Sequence, residues 1–272
     1  MKTTFFPALM AATVIVSGGI FVSCANKDDI PEPIPARATA KATSRTLLWD
    51  GAASGGTSVF KQIQFQDAAG NYGSTKGSSV TAVTDATEGT VWKIHKDDLD
   101  RRCEALGAAG VVPSVGQTYF VGFKFKLPQT PAAGQTGSVF TMMQWKTAGT
   151  PNTQNYPFLL VYNSGRVKLE FYPDLTSTTL LYTHSVVANT WYSIVLKVTV
   201  GNTASTGNIQ VYWGDDATAE TLETGSTSFT GKTFDGTSID PKWGYYRDTG
   251  ADGDIYFSRL KIGSTYNDVK PY

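Results

Sequence analysis

The chain has few residues able to cross-link it or to hold a transition metal: its 272 positions include 2 Cys and 2 His. So sparse a set argues against both a disulfide scaffold and a Cys/His metal centre. Charge of either sign is also scarce. The 23 Lys+Arg are balanced by 23 Asp+Glu, and charged residues make up only 17% of the chain. A nucleic-acid partner would call for a basic surplus to neutralise phosphates, so nucleic acid is excluded as a ligand. There is no phosphate loop, dinucleotide fingerprint or Ser-centred nucleophile elbow. No repeat of fixed period appears, which excludes propellers and solenoids. No amphipathic helical periodicity of useful length is present either. What the chain does have is 41% hydrophobic residues, 12% aromatics and 27 Gly, the composition of a β-rich globular protein with many turns.

The N-terminus is an address. Met1-Lys2 precedes an apolar run over residues 5–22, interrupted by Pro7 and Gly18-Gly19 and ending at Ser23-Cys24. The run is short and broken for a membrane span, and it has the layout of a signal peptide over residues 1–23. Its end resembles a bacterial lipobox, which implies that Cys24 becomes the lipid-carrying first residue. Pro31, Pro33 and Pro35, followed by Ala, Thr, Lys and Ser, read as an extended tether over residues 24–45. The expected location is the cell envelope, lipid-anchored or secreted, with membrane contact through the anchor alone. Cys103 is then left without a disulfide partner. The folded domain is expected over residues 46–272, as a monomer.

Within that domain, strand patterns alternate with turn signals. Residues 119–127 place Tyr119, Val121, Phe123, Phe125 and Leu127 on one face before Pro128 ends the run. Asn163-Ser164-Gly165-Arg166 separates two strand-like segments as a hairpin loop. Residues 191–198 and 208–213 pair naturally across a polar loop, and residues 254–262 close the chain. Many strands without βα alternation predict an all-β, two-sheet antiparallel sandwich. The paired segments at 191–198 and 209–213 resemble concanavalin-like β-jelly rolls, a fold that does not by itself fix function.

Three segments carry polar residues two apart, on one face of a strand. They are Arg102-Cys103-Glu104, Gln144-Trp145-Lys146 and Lys242-Trp243-Gly244-Tyr245-Tyr246. A polar row is also what the solvated face of any sandwich shows. As an ordered set, the three resemble the jelly-roll polysaccharide lyases: the alginate lyase group and the related glucuronan lyase and heparin lyase I-like groups. Those families carry Arg-x-Glu, Gln-x-His and Lys-x-Gly-x-Tyr strands along one groove. Lys146 stands here in place of the histidine, which favours the glucuronan-like or heparin-lyase-like groups over the alginate group.

The resemblance implies β-elimination on a uronate glycan, an acidic polysaccharide, with no cofactor required. Removing the proton at C5, next to a carboxylate, requires that carboxylate to be neutralised so that it can take up charge. Gln144 would hydrogen-bond it, and Lys146 or Arg102 would supply positive charge. Tyr246 maps to the acid and base, with both proton transfers on one face of the ring. A tyrosine at its ordinary pKa of about 10 is a poor base at neutral pH, so neighbouring cations are needed. Glu104, Lys242 and Trp145 are expected to bind substrate. His95 shares strand parity with Val91 and Lys93, and is either a further catalytic or carboxylate-neutralising group or an ordinary surface histidine. His184 reads as a surface residue.

Asp248, Asp252 and Asp254, with Gly250 and Gly253, fit either a structural calcium loop or a Gly/Asp turn. The Glu-x-Asp-x-x-Glu strand of jelly-roll glucanases is missing, which sets paired-carboxylate hydrolysis aside. The alternative to a lyase is a non-catalytic glycan-binding module, stacking sugars on Trp145, Trp243 and Tyr245.

Overall fold

Alternating apolar side chains give each strand one oily face, and two sheets bury those faces against each other. The computed structural model describes residues 47–215, 223–224, 228–246 and 250–272. The expected signal segment and tether, Cys24, Arg247 and Asp248 lie outside the described residues. In chain order the strands are β1 (Leu47–Asp50), β2 (Phe60–Asp67), β3 (Ser79–Asp85), β4 (Gly89–Lys96), β5 (Asp100–Ala108) and β6 (Thr118–Lys126). Next come β7 (Val139–Ala148), β8 (Phe158–Asn163), β9 (Arg166–Phe171), β10 (Thr179–Ser185) and β11 (Trp191–Thr199). The last are β12 (Asn208–Gly214), β13 (Glu223–Thr224), β14 (Phe229–Thr230), β15 (Ser238–Tyr246) and β16 (Gly253–Gly263), followed by the short helix α1 (Tyr266–Val269).

The front sheet runs β10-β9-β8-β7-β15-β5-β2. The back sheet runs β13-β12-β11-β6-β16-β4-β3, with β1 beside β16 and β14 beside β12. Every strand pair is antiparallel, and the result is the all-β jelly-roll sandwich expected of the sequence. The β11–β12 pairing matches Val198 with Ile209 and Ile194 with Trp213. Ser164 and Gly165 both have positive φ, 52° and 85°, as the tight β8–β9 hairpin requires. β15 begins at Ser238, upstream of Pro241, and not at Lys242 as the strand pattern suggested.

Trp92, Trp145, Trp243, Phe123, Phe125, Phe158 and Phe257 fill the space between the sheets. Buried indoles need a partner for their N–H. Trp92 donates to the Gly51 carbonyl at 2.8 Å and Trp145 to the Thr233 carbonyl at 3.0 Å. Trp49 stacks on Trp243 with ring centroids 5.3 Å apart, closing the core at β1.

Two register irregularities in the front sheet set the faces of the central strands. Against β8, β7 carries an extra residue between Thr141 and Met143. Against β7, β15 carries one between Trp243 and Tyr246. Strict alternation would put Phe140 on the same face as Gln144. The bulge at Met142 reverses the phase, so Phe140 and Trp145 are both buried in the core. Gly244 meets a different constraint: a Cβ there would lie 2.3 Å from the Cys103 carbonyl oxygen, so only glycine lets β5 and β15 approach so closely.

Candidate active site

β7, β15 and β5 are neighbours in the front sheet, and their register aligns the three polar rows. Lys242 lies opposite Gln144 on one side and Leu106 on the other; Gly244 lies opposite Glu104, and Tyr246 opposite Arg102. Arg102, Gln144, Lys146, Lys242 and Tyr246 thereby converge on one cavity of about 410 Å³.

Glu104 organises the floor. Its carboxylate accepts from Gln144 Nε2 at 2.8 Å and from Arg102 Nη1 at 3.3 Å, and lies 3.8 Å from Lys242 Nζ. Only 1% of Glu104 is exposed, and it does not line the cavity. The expectation that it binds substrate is therefore corrected: its oxygens hold the residues that face the cavity. β2 contributes two further acceptors. Gln66 Oε1 receives Arg102 Nε at 2.8 Å, and Gln64 Oε1 receives Lys242 Nζ at 2.6 Å. The Arg102 guanidinium is fixed above as well as below, 4.0 Å from the Tyr246 ring centroid and 5.4 Å from that of Tyr72.

Three cations therefore surround one committed carboxylate. Asp240 also lines the cavity, but it is ion-paired to Lys61 at 2.5 Å. The surplus is positive, as an anionic ligand requires. Burial, then repulsion from Lys242 and Arg102, brings Lys146 down to about 8 against the opposing pull of Glu104. Burial also lowers Lys242; Glu104 opposes that shift and Arg102 adds to it. Tyr156, on the cavity wall, is raised by burial and by the neighbouring Tyr246.

Two expected site residues are elsewhere. Trp145 is fully buried and stacked on Phe158, with centroids 5.4 Å apart, so it faces away from the cavity and cannot bind substrate. Trp243 and Tyr245 share that fate at 0% and 3% exposure, which removes the aromatic platform that a binding module would use. His95 has the strand parity expected of it but belongs to the back sheet. It lines a separate cleft with Lys93, Asp252 and Asp254, and its Nδ1 is 2.9 Å from Asp254 Oδ1. It does not join Tyr246. Lys93 takes the other Asp254 oxygen at 2.9 Å, and Asp252 is exposed. Among the described residues, no cluster of three Asp, Glu, His or Cys is placed to hold a metal ion. His184 is partly exposed, stacked on Trp213 and 3.3 Å from Asp215.

Gln64, Gln66, Tyr72, Asn155, Tyr156 and Asp240 were not anticipated. β2 reads Phe-Lys-Gln-Ile-Gln-Phe-Gln-Asp, whose apolar positions 60, 63 and 65 break strict alternation. Asn155 and Tyr156 sit in a loop, where no periodicity exists to be read.

A family model described as "Polysaccharide lyase" matches residues 53–261, most of the chain. No curated protein sequence matches it. Among solved structures, the fold is similar to the endo-β-1,4-glucuronan lyase of the fungus Trichoderma reesei, at 13% identity and a TM-score of 0.56, covering 84% of this chain and 99% of that one. It is also similar to alginate lyase A1-II', a member of polysaccharide lyase family 7, at 15% identity and a TM-score of 0.54, covering 75% and 94%. That alginate lyase has also been solved as a variant in complex with a substrate, GGMG. A carbohydrate esterase of the Shiga toxin-encoding bacteriophage phi24B has a TM-score of 0.55 at 13% identity, covering 81% and 99%, so the architecture alone does not select the chemistry. The family match, spanning all three polar strands of the front sheet, does select it: the chain belongs to the polysaccharide lyase family.

Proposed function

We propose that this lyase cleaves a uronate-containing polysaccharide by β-elimination in the front-sheet cavity. The observation that carries the reading is the convergence of Arg102, Gln144, Lys146, Lys242 and Tyr246 on a cavity with excess positive charge. The substrate carboxylate would take the second N–H of the Gln144 amide, whose first is held by Glu104, together with the Lys146 ammonium. These contacts strengthen as charge moves from C5 onto the carboxylate, which is where transition-state stabilisation acts. Tyr246 removes the C5 proton; the C5 electron pair forms the C4–C5 double bond; and the C4–O4 bond breaks, its oxygen leaving with the proton returned by the same hydroxyl. Arg102 puts its positive charge over the Tyr246 ring, 4.0 Å from the ring centroid.

The structural similarity to a glucuronan lyase, and to an alginate lyase solved with a substrate, supports an acidic glycan as the partner. Incubation with glucuronan, alginate, heparan sulfate, hyaluronan and ulvan tests the reading through the ultraviolet absorbance of the unsaturated uronide. Folded protein that releases no absorbing product from any of them refutes it. The N-terminal pattern supports lipid anchoring at Cys24, tested by metabolic labelling with a radioactive fatty acid: a Cys24→Ala variant should lose the label.

A further inference from the structure

The β7–β8 loop brings two residues to the cavity, Asn155 and Tyr156, and its backbone is strained where it does so. Asn155 has φ 64°, and the Tyr156 amide donates across it to the Gln154 carbonyl at 2.8 Å, closing a three-residue turn. Such γ-turns with positive φ are rare and strained, and asparagine is among the few non-glycine residues that tolerate them. The loop is held in this shape from its flank. Gln154 is fully buried and donates Nε2 to the carbonyls of Tyr172 at 2.7 Å and Lys232 at 2.9 Å. Asp235 accepts from the Gln154 amide at 2.9 Å and from both the amide and the hydroxyl of Thr153. Strain maintained by surrounding structure is a pointer to function.

What the strain achieves is visible at Lys146. The Asn155 carbonyl turns back onto β7 and accepts from the Thr147 amide at 3.0 Å, the Thr147 hydroxyl at 2.7 Å and Lys146 Nζ at 3.2 Å. The Asn155 side-chain oxygen accepts from Lys146 Nζ as well. An ammonium has three N–H donors, and one residue thus takes two of them. The third is available to an anion in the cavity.

We propose that Asn155 is a positioning residue of the lyase reaction: its main-chain and side-chain oxygens together aim the Lys146 ammonium at the substrate carboxylate and keep it protonated. The inference rests on the function proposed above. The groups around Lys146 make such help necessary. Lys242 from β15 and Arg102 from β5 repel its charge, and Glu104 attracts it while already engaged by three partners. Asp240, the register partner of Lys146, is ion-paired to Lys61, and the remaining ionisable neighbours on the cavity wall are Tyr72, Tyr156 and Tyr246. With Lys146 at about 8, its proton is held only narrowly at neutral pH. Hydrogen bonds accepted from the ammonium favour its charged form.

Two substitutions separate the oxygens. Asn155→Gly suits the positive φ and keeps the carbonyl but removes the side-chain acceptor. Asn155→Asp replaces that acceptor with a carboxylate. Lys146 titration is read directly by NMR of ¹³Cε-labelled lysine, assigned with Lys146→Arg. The expected result is a shift of about one unit to lower pH in the glycine variant and a shift to higher pH in the aspartate variant. The alkaline limb of kcat/KM should move the same way in each, and Lys146→Arg should remove it from that range, since arginine keeps its proton. Unchanged titration in both variants, or shifts of one sign, overturns the proposal, as does a limb that stays in place while the titration moves. Wild-type protein that cleaves no uronate polymer refutes the lyase reading instead, while the NMR titration still decides the link between Asn155 and Lys146.

Discussion

Removing the Glu104 carboxylate should unsettle the front sheet more than any other single change in the cavity. Arg102 and Lys242 are 8% and 4% exposed, and Glu104 is the carboxylate between them, at 3.3 and 3.8 Å. Glu104→Ala leaves two buried cations facing each other without a counter-charge and strips Gln144 of its acceptor. Breaking a buried pair from one side costs about 3–5 kcal/mol, because the surviving charge remains desolvated. For a domain of this size each kcal/mol is worth about 2–4 °C, so the midpoint of thermal unfolding should fall by about 6–20 °C. Urea titration of the purified variant measures the loss directly. Because the groups are buried, the loss should persist at high salt, which screens surface pairs. It should also depend on pH with a definite sign. Lys242 titrates below an unfolded lysine, so the unfolded state binds more protons between those two values and stability rises with pH across that window. Without Glu104 that window widens, and the deficit of the variant should shrink as pH approaches 10. A Glu104→Ala protein that loses less than about 1 kcal/mol, the range of a surface ion pair, would refute the account of Glu104 as the group that organises the floor.

Tyr246→Phe should lower turnover by more than the ~10²–10⁴-fold typical of one general acid–base group, since both proton transfers use its hydroxyl, while the ring still packs on Arg102 and the melting temperature hardly moves. Near-normal turnover in the variant would place the base elsewhere. Gly244→Ala should destabilise by about 1–3 kcal/mol through the clash with the Cys103 carbonyl, seen in urea titration with no change in charge. On the back sheet, burial alone would raise Asp85, but Lys126, the amides of Glu88 and Thr87, and Trp191 hold it down at about 2. Its stabilising contribution is therefore complete above about pH 4 and lost as pH falls through 2, so Asp85→Asn should weaken the protein at pH 7 and leave it unchanged near pH 2 in paired urea titrations.

The parts of the site that could be read from sequence are those set by local alternation. Arg102 with Glu104, and Lys242 with Tyr246, share a face because a strand has period two, and the pairing of β15 with β5 runs through both without a break, although β15 is irregular against β7. The same rule already placed Trp145 opposite Gln144 and Lys146, so its proposed role at the substrate conflicted with its own parity. His95 shows the limit of the rule: its face was legible, but which sheet β4 joins depends on pairing with β3 and β16, which are distant in the chain or weakly patterned. The inward position of Phe140 depends on a bulge, and a bulge leaves no periodic trace. Asn155 owes its place to Gln154 and Asp235, contacts that form only when the β7–β8 loop meets the segment before β15.

The bulge at Met142 also governs how this cavity can change over evolution. Residues on either side of it are in opposite phase, with Phe140 and Trp145 both inward and Gln144 and Lys146 outward. Exchanging the side chain at 146 alters the chemistry offered to a glycan and leaves the sandwich untouched, so point changes can explore new substrates. Length follows a different rule. Met142 is the extra residue, so deleting it would restore strict alternation, with Phe140 and Trp145 still inward and Gln144 and Lys146 still outward, and would remove only the local bend. Removing the one residue between Gln144 and Lys146 would instead put those two on opposite faces and break the polar row. Length variation in β7 should therefore fall at the bulge, and the spacing of Gln144 and Lys146 should be kept even where the sequence around them drifts.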